Sequence, residues 1–139
     1  MSGEAVTIVS SRTDTATTAG TAGTTISGME FYRKGNFALN ISALSGTPTL
    51  AVVLQKYVNG YWTDMARFTD MTATGTRILH NVGGDLGTGT TTVEEAQLTG
   101  TITAQNMRAG GLTRQIRAYW VITGSITSLT WSVTAEVSS

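Results

Sequence analysis

The chain has 139 residues, no cysteine and one histidine, and nine basic residues balance nine acidic ones. This length predicts one domain over residues 1–139. The lack of cysteine excludes disulfides and thiolate metal sites, and a nucleic-acid binder would normally show a basic surplus. Only 13% of the residues are charged, against about 25% in a typical soluble domain. Such a low and balanced charge causes little electrostatic repulsion between copies, which favours a subunit of an ordered assembly.

The N-terminal part combines a short apolar segment with a low-complexity one. Ala5–Ser10 predicts a first strand, and Thr13–Gly28 consists almost wholly of Thr, Ala, Gly and Ser. The second segment buries too little apolar surface to fold alone, so we expect a flexible loop or an extended arm ordered on a neighbouring subunit. The N-terminus lacks the features of a signal peptide, and no apolar run approaches the roughly 20 residues of a spanning helix. We therefore expect no membrane partner.

The middle of the chain shows the period of two that is typical of half-buried strands. Four residues, Phe37, Leu39, Ile41 and Ala43, would share one face of a strand. The glycine and proline of segment 45–48 predict a turn, and Thr49–Tyr57 predicts the strand that follows it.

A hairpin is predicted next, because Asn59-Gly60 stands between apolar segments and a type I′ turn needs positive φ at both central residues. Trp62–Phe68 would be the return strand. One face of that strand should carry Trp62, Asp64, Ala66 and Phe68. A shorter strand is predicted over Thr76–Leu79.

The C-terminal part begins with a Gly-rich loop over residues 81–92, followed by an ambiguous segment over 93–103. Segments 115–123 and 129–137 alternate clearly and predict a final hairpin that turns at Gly124-Ser125. About eight strands with Gly-containing turns predict an all-β fold. We expect an antiparallel β-sandwich or a jelly-roll-like barrel with an extended N-terminal segment.

The search for catalytic chemistry predicts that the protein is not an enzyme. The single histidine, His80, is expected to be a structural or surface residue, because a catalytic histidine needs a nucleophile and an orienting acid. One histidine without cysteine is also too little for a zinc site. A glycosidase would need paired carboxylates. The candidates for such a pair are Asp64, Asp70, Asp85, Glu94 and Glu95. Strands carry such residues routinely, so we predict no catalytic residue, no cofactor and no metal site.

Aromatic and basic side chains provide the candidate interface. Trp120 and Trp131 fall on the apolar sides of their strands and should pack in the core. The aromatic residues beside the hairpin turn suit a protein interface, where Tyr and Trp are enriched, and a local basic group suits an acidic partner surface or a solvated face. The candidate interface residues are Tyr57, Tyr61, Trp62, Arg114 and Arg117. An alternative use of the three aromatics is stacking on sugars, as in a lectin-like module.

A further pattern runs through about two-thirds of the chain. It consists of Leu54-Gln55, the hairpin sequence Asn59-Gly60-Tyr61-Trp62-Thr63-Asp64, the Thr-rich stretch Thr69–Thr76, Arg117-Ala118-Tyr119-Trp120 and Thr123-Gly124-Ser125. This pattern resembles small structural proteins of tailed bacteriophages. The segments Thr13–Gly28 and Asn81–Thr92 fall outside the resemblance.

The resemblance implies a β-sandwich virion protein that decorates the phage head as a cement protein, often as a homotrimer. Its partners would be the major capsid protein and copies of itself, with no nucleic acid, no membrane and no cofactor. Such a protein would be made in the host cytoplasm and end on the capsid exterior. A tail or neck structural protein is the alternative within the same resemblance.

Overall fold

The computed structural model describes residues 3–83 and 112–139 as antiparallel β-structure with one short 3-10 turn. The strands are β1 (Glu4–Asp14), β2 (Thr18–Ala22), β3 (Ile26–Ser27), β4 (Lys34–Val58), β5 (Tyr61–Arg67), β6 (Gly75–Val82) and β7 (Gln115–Ser138), and the 3-10 turn η1 spans Met29–Phe31. The predicted all-β fold is therefore confirmed, with seven strands in the part of the chain that is described. No helix in that part is long and apolar enough to cross a membrane.

Two very long strands organise the molecule. β4 and β7 pair antiparallel along almost their whole lengths, from Lys34 opposite Ser138 to Lys56 opposite Ile116. The free side of β7 pairs with β1 over its second half and with β2 and β3 over its first half. The free side of β4 pairs with β6 over its first half and with β5 over its second. The chain thus forms four long extended stretches that lie side by side.

These stretches are folded across their middle, so that the two halves of the sheet face each other as two layers. Trp120 and Trp131 show this directly, because their ring centroids are 4.9 Å apart although a straight strand would separate them by about 36 Å. We call the half that contains β1 and β6 layer A, and the half that contains β2, β3 and β5 layer B. This two-layer packing is that of a β-sandwich.

The long strands bend where one layer passes into the other, and we call this region the bend. The turns predicted at 45–48 and at Gly124-Ser125 both fall in the bend, and both predictions are wrong. Both segments continue their strands: Gly46 lies opposite Ile126 and Pro48 lies opposite Gly124. The two glycines have φ values of 89° and 86°, which other residues rarely adopt. The ladder therefore passes through the bend, and each predicted pair of strands is one bent strand.

The core lies between the two layers and follows the predicted alternation except at Ala43, which is exposed. The β4–β7 ladder shifts register between Ile41 and Ala43, so Ala43 does not continue the inward row as predicted. Phe37, Leu39 and Ile41 from layer A are buried, as are Trp120 and Trp131. The other inward residues with at most 2% exposure include Leu50, Val52, Leu54, Ile116, Ala118, Ile122, Leu129, Val133 and Val137. Alternate residues thus supply one continuous apolar core, which is the main source of stability.

The end of the sandwich opposite the bend, here called the open end, is closed by η1. The backbone N–H of Met29 donates to the carbonyl of Arg114 in layer B at 3.1 Å, and that of Arg33 donates to the carbonyl of Ser138 in layer A at 2.9 Å. The Met29 side chain is 2% exposed. η1 and the two residues that follow it therefore link the free ends of both layers.

The Thr- and Gly-rich segment Thr13–Gly28 contacts the same molecule, because β2 and β3 within it pair with β7. The backbone N–H of Gly23 donates to the carbonyl of Ala118 at 2.8 Å. A Cβ on Gly20 would come within 1.8 Å of the Tyr119 hydroxyl oxygen, so the small residues of this segment allow it to lie close to layer B. Most of the predicted loop 81–92 and the whole ambiguous segment 93–103 lie outside the described residues.

Candidate interaction surface

The β4–β5 hairpin projects at the open end of layer B. Asn59 and Gly60 both have positive φ, 50° and 91°, which confirms the predicted type I′ turn. Tyr57 and Tyr61 are 39% and 57% exposed on either side of it, and Val58 is 36% exposed. The hairpin therefore presents a group of large apolar side chains to solvent.

Trp62 lies half-buried behind this group and is held by two neighbours. The Tyr57 ring packs against it at 5.1 Å between centroids with an angle of 63° between the planes. The guanidinium carbon of Arg117 lies 4.2 Å from the Trp62 ring centroid. A cation this close to an indole face is attracted by the ring quadrupole. The structure thus brings together four of the five residues that the sequence predicted as an interface.

A buried polar network fixes Arg117 in this position. Its Nε donates a hydrogen bond to Oε1 of Gln55 at 2.8 Å, and Nε2 of Gln55 donates to Oδ1 of Asp64 at 3.0 Å. Both Gln55 and Asp64 are fully buried. The carboxylate only accepts and the guanidinium only donates, so the amide of Gln55 has one orientation that satisfies both. The hairpin is therefore supported by a chain of specific contacts rather than by apolar packing alone.

The electrostatics of Arg117 make it a candidate anchor for an anion. Burial lowers the pKa of its guanidinium, and the nearby Tyr119 opposes this effect. Within residues 3–83 and 112–139, its side chain is hydrogen-bonded to the neutral Gln55 and to no carboxylate. A partly desolvated cation without a charged partner is costly. A carboxylate supplied by a partner would remove that cost through charge-assisted hydrogen bonds.

The network depends on a register shift that sequence reasoning missed. Asp64 lies opposite Gln55, whereas Ala66 lies opposite Leu54. Opposed residues share a face and successive residues do not, so Asp64 and Ala66 lie on different faces. The prediction that Trp62, Asp64, Ala66 and Phe68 share one face is therefore wrong. An irregularity in the β4–β5 ladder that leaves Met65 without an opposed residue causes the change.

Arg114, the fifth predicted interface residue, lies apart from the hairpin beside η1. Its side chain is exposed, and its carbonyl accepts the hydrogen bond from Met29. Next to it, η1 carries Phe31, which is 73% exposed, and the exposed Glu30. Sequence reasoning missed Phe31. The available signal was a large apolar residue in the short segment between β3 and β4, where no strand periodicity demands one.

The other residues considered for chemistry lie only partly within the described part of the chain. Asp70 forms an ion pair with Arg67, with 2.9 Å between the nitrogen and the oxygen, and His80 is exposed on β6. Asp85, Glu94 and Glu95 lie outside the described residues. Across 3–83 and 112–139, no three His, Asp or Glu side chains are grouped closely enough to hold a metal ion.

A concavity lies between the open edges of β1 and β2–β3. It has a volume of about 460 Å³, and both Trp120 and Arg12 line it. Its other walls are small and uncharged, namely Thr7, Ser10, Ser11, Ala22, Gly23 and Thr24 together with Ile8, Val9 and Ile26. Arg12 is already paired with Asp14 at 2.7 Å. The groove therefore offers hydroxyls and backbone groups but no free charge among the described residues.

Comparisons with protein-family models, with curated proteins and with solved structures gave no match for this chain.

Proposed function

We propose that this protein is a virion structural protein that decorates the head of a tailed bacteriophage and stabilises the lattice of the major capsid protein. The observation that supports the proposal is the hairpin surface, defined as Tyr57, Tyr61, Trp62 and Arg117. Tyr, Trp and Arg are the side chains that dominate binding energy at protein interfaces. Ring contacts hold Tyr57, Trp62 and Arg117 together, and Gln55 fixes the arginine. These three side chains therefore lose little entropy when a partner binds.

The remaining physical properties suit a subunit that adheres to others. A standard interface buries about 1,600 Å² in total, shared between the two partners. Many equivalent copies then stabilise a shell, because a ligand that binds only the assembled state shifts the equilibrium toward it. The low and balanced charge places little repulsion between copies packed on one surface.

The direct test uses expanded heads of the phage whose genome encodes the chain, prepared without this protein. Wild-type protein should co-sediment with the heads and saturate at a fixed ratio to the major capsid protein. Tyr61→Ala and Trp62→Ala should weaken binding about 30-fold each, the effect of losing a hot-spot residue worth about 2 kcal/mol. Ile78→Ala is the matched control, since Ile78 is a 51% exposed side chain in layer A.

If both hairpin variants bind heads as strongly as the wild type, the hairpin is not the binding surface. If the wild-type protein does not bind heads, the proposed function is wrong. Electron microscopy of virions that carry a labelled copy separates the head from the tail or neck, the other location within this class. Label confined to the tail would replace the head assignment.

The lectin-like alternative fits the hairpin less well. A sugar ring stacks on an open aromatic face, whereas Arg117 lies over one face of Trp62 and Tyr57 packs against the same ring at 63°. A glycan array provides the test: a specific hit that Trp62→Ala abolishes would favour sugar binding over the structural role.

A further inference from the structure

We propose that the hairpin surface binds a carboxylate of the partner polypeptide, an aspartate or glutamate side chain, at the free end of the Arg117 guanidinium. The inference rests on the proposed function only for the identity of the partner, because the carboxylate site is a property of the isolated protein. It predicts that a neutral group of the same shape does not replace the bound carboxylate.

The two half-buried arginines of layer B differ in the groups that they contact. Arg67 and Arg117 are both half-buried. Arg67 forms an ion pair with Asp70 at 2.9 Å. Arg117 instead donates to the neutral amide oxygen of Gln55, and it forms no ion pair within the described part of the chain. The fold therefore supplies a carboxylate to the first arginine and leaves the second without one.

The charge of Arg117 is partly withdrawn from water. Burial lowers the pKa of its guanidinium, which shows that the charged form has lost part of its hydration. The Trp62 ring, with its centroid 4.2 Å from the guanidinium carbon, and the Gln55 amide replace some of that hydration, but neither has a net charge. A carboxylate would supply a full opposite charge and charge-assisted hydrogen bonds. The site therefore favours an anion over a neutral ligand.

The hydrogen bonding of Arg117 leaves one end of the guanidinium unused. A guanidinium has five N–H donors in a fixed plane. Its Nε donor is engaged by Oε1 of Gln55 at 2.8 Å, so the edge that contains Nε is already occupied. The two terminal nitrogens have no acceptor among the described residues. They can donate two parallel hydrogen bonds to the two oxygens of one carboxylate. Trp62 and Gln55 hold the guanidinium in place before the ligand binds, which limits the entropy cost.

A singly charged anion fits this site better than a doubly charged one. The hairpin surface contains one cation, Arg117, and the buried Asp64 lies behind it. Oδ1 of Asp64 accepts from Nε2 of Gln55 at 3.0 Å, so negative charge already lies on the far side of the amide. A phosphate group brings nearly two negative charges and is usually recognised by clusters of arginines. One carboxylate matches one guanidinium end in both charge and number of oxygens.

The rings around Arg117 indicate that the carboxylate belongs to a polypeptide rather than to a free ion. Tyr57, 39% exposed, packs against Trp62, and Val58 and Tyr61 are exposed beside the turn. A small hydrated ion would leave these apolar surfaces in water. The methylene groups of a glutamate and its apolar neighbours on a partner would cover them, which adds a hydrophobic contribution to the charge pair.

Nuclear magnetic resonance titration of the wild-type protein tests the site without heads. The probe is 3-phenylpropionate, which joins a carboxylate to an apolar ring, and the control ligand is its neutral isostere 3-phenylpropionamide. The carboxylate should shift the indole N–H signal of Trp62 and the Nε–H signal of Arg117 to saturation. The amide should bind at least about tenfold more weakly, because it forms no charge-assisted pair. Equal binding of the two ligands, shifts confined to other residues, or tighter binding of inorganic phosphate would overturn the proposal.

Arg117→Lys separates the planar fork from the charge. Lysine keeps the positive charge but does not present two parallel donors in a fixed plane, so affinity for 3-phenylpropionate should fall at least about tenfold. Arg114→Lys is the matched control, because Arg114 is an exposed arginine three residues away, and it should bind as the wild type does. Wild-type affinity in Arg117→Lys would contradict the site. Where Arg117→Lys disturbs the fold, the comparison of carboxylate and amide on the wild-type protein still decides.

The carboxylate site and the proposed function fail separately. If the wild-type protein binds heads, and 3-phenylpropionate weakens that binding no more than the amide does, the carboxylate inference is wrong and the proposed function stands. If the isolated protein binds the carboxylate selectively but does not bind heads, the proposed function is wrong and the site stands. Weaker head binding with the carboxylate, at concentrations where the amide has no effect, is the result expected when both are correct.

Discussion

Across the bend, Gly46 packs against the backbone of Ser125, and Gly124 packs against the backbone of Thr47. A Cβ on Gly46 would lie 2.5 Å from the carbonyl oxygen of Ser125, and a Cβ on Gly124 would lie 2.4 Å from that of Thr47. Thr47 and Ser125 are themselves opposed in the β4–β7 ladder. Each glycine is therefore required both by its own positive φ and by the backbone next to the other glycine, and the fold of the sheet into two layers depends on this pair.

Gly124→Ala and Gly46→Ala should each destabilise the protein by more than about 2 kcal/mol, measured from urea unfolding. The left-handed backbone alone costs an alanine about 1–2 kcal/mol, and the collision with a fixed carbonyl adds to it. Gly60→Ala separates the two effects, because Gly60 has a φ of 91° but a Cβ added there would meet no atom within 4 Å. Equal losses at Gly60 and Gly124 would show that the close approach at the bend is unimportant.

The same bend shows where sequence reasoning reached its limit. In β4 and β7 the alternation of large apolar residues predicted the inward faces correctly, because a half-buried strand leaves a period of two in its sequence. Gly124-Ser125 carries the same local signal as a hairpin turn. Only the pairing with Gly46, far away in the chain, makes it a bend within one strand, and a single sequence does not display that pairing.

The candidate surface was predicted only in part, again because some of its contacts join residues that are distant in the sequence. Tyr57, Tyr61 and Trp62 flank a recognisable turn, so their place on the hairpin follows from local sequence. The support from Gln55 and Asp64 depends on a register shift, which changes the face of Asp64 without any glycine or proline to indicate it. Tertiary contact across three strands brings Arg117 to this hairpin, and no local pattern encodes that contact.

Asp14 should give the protein a stability component that is lost in acid. Burial by itself would raise the pKa of this carboxyl, but hydrogen bonds from Arg12 and Trp131 and the charge of Arg12 outweigh burial and hold the pKa below its ordinary value. Because the pKa of Asp14 is lowered in the folded state, its contribution to stability is complete above the unfolded pKa of about 3.9. That contribution disappears as the pH falls through the folded pKa. Asp14→Asn should flatten the pH dependence of unfolding below about pH 5.

The measurement is the urea midpoint of wild type and Asp14→Asn at a series of acidic pH values. The two profiles should converge as the pH falls, because protonation removes the carboxylate that the variant already lacks. Trp131→Phe removes the 2.8 Å hydrogen bond from the indole Nε1 to Asp14 and should show a similar, partial flattening. Parallel profiles at all pH values would mean that Asp14 gains nothing from its partners.

Tyr32 should give the protein a stability component that is lost in alkali. The hydrogen bond from its hydroxyl to the Glu4 carboxylate is the main cause that raises its pKa, with burial and the charge of Glu4 adding to it. A raised pKa favours the neutral phenol in the folded state, so the contribution is complete below about pH 10 and is lost as the pH rises through the folded value. Tyr32→Phe should remove this alkaline component, whereas Tyr61→Phe on the hairpin should retain it. Loss of stability in alkali that is identical in wild type and Tyr32→Phe would contradict the assignment.

Gln55 should be the most sensitive polar residue of the hairpin support. Gln55→Leu leaves the buried Asp64 without the amide donor and Arg117 without its acceptor, and breaking a buried charged network typically costs about 3–5 kcal/mol. Asp64→Asn should cost less, under about 2 kcal/mol, because the asparagine carbonyl still accepts from Nε2 of Gln55. Gln115→Leu, at a half-buried position of β7 in the same layer, controls for the loss of an amide. Since Gln55 positions Arg117 over Trp62, Gln55→Leu should also alter the tryptophan fluorescence, and a stable variant with unchanged fluorescence would show that the hairpin does not need this network.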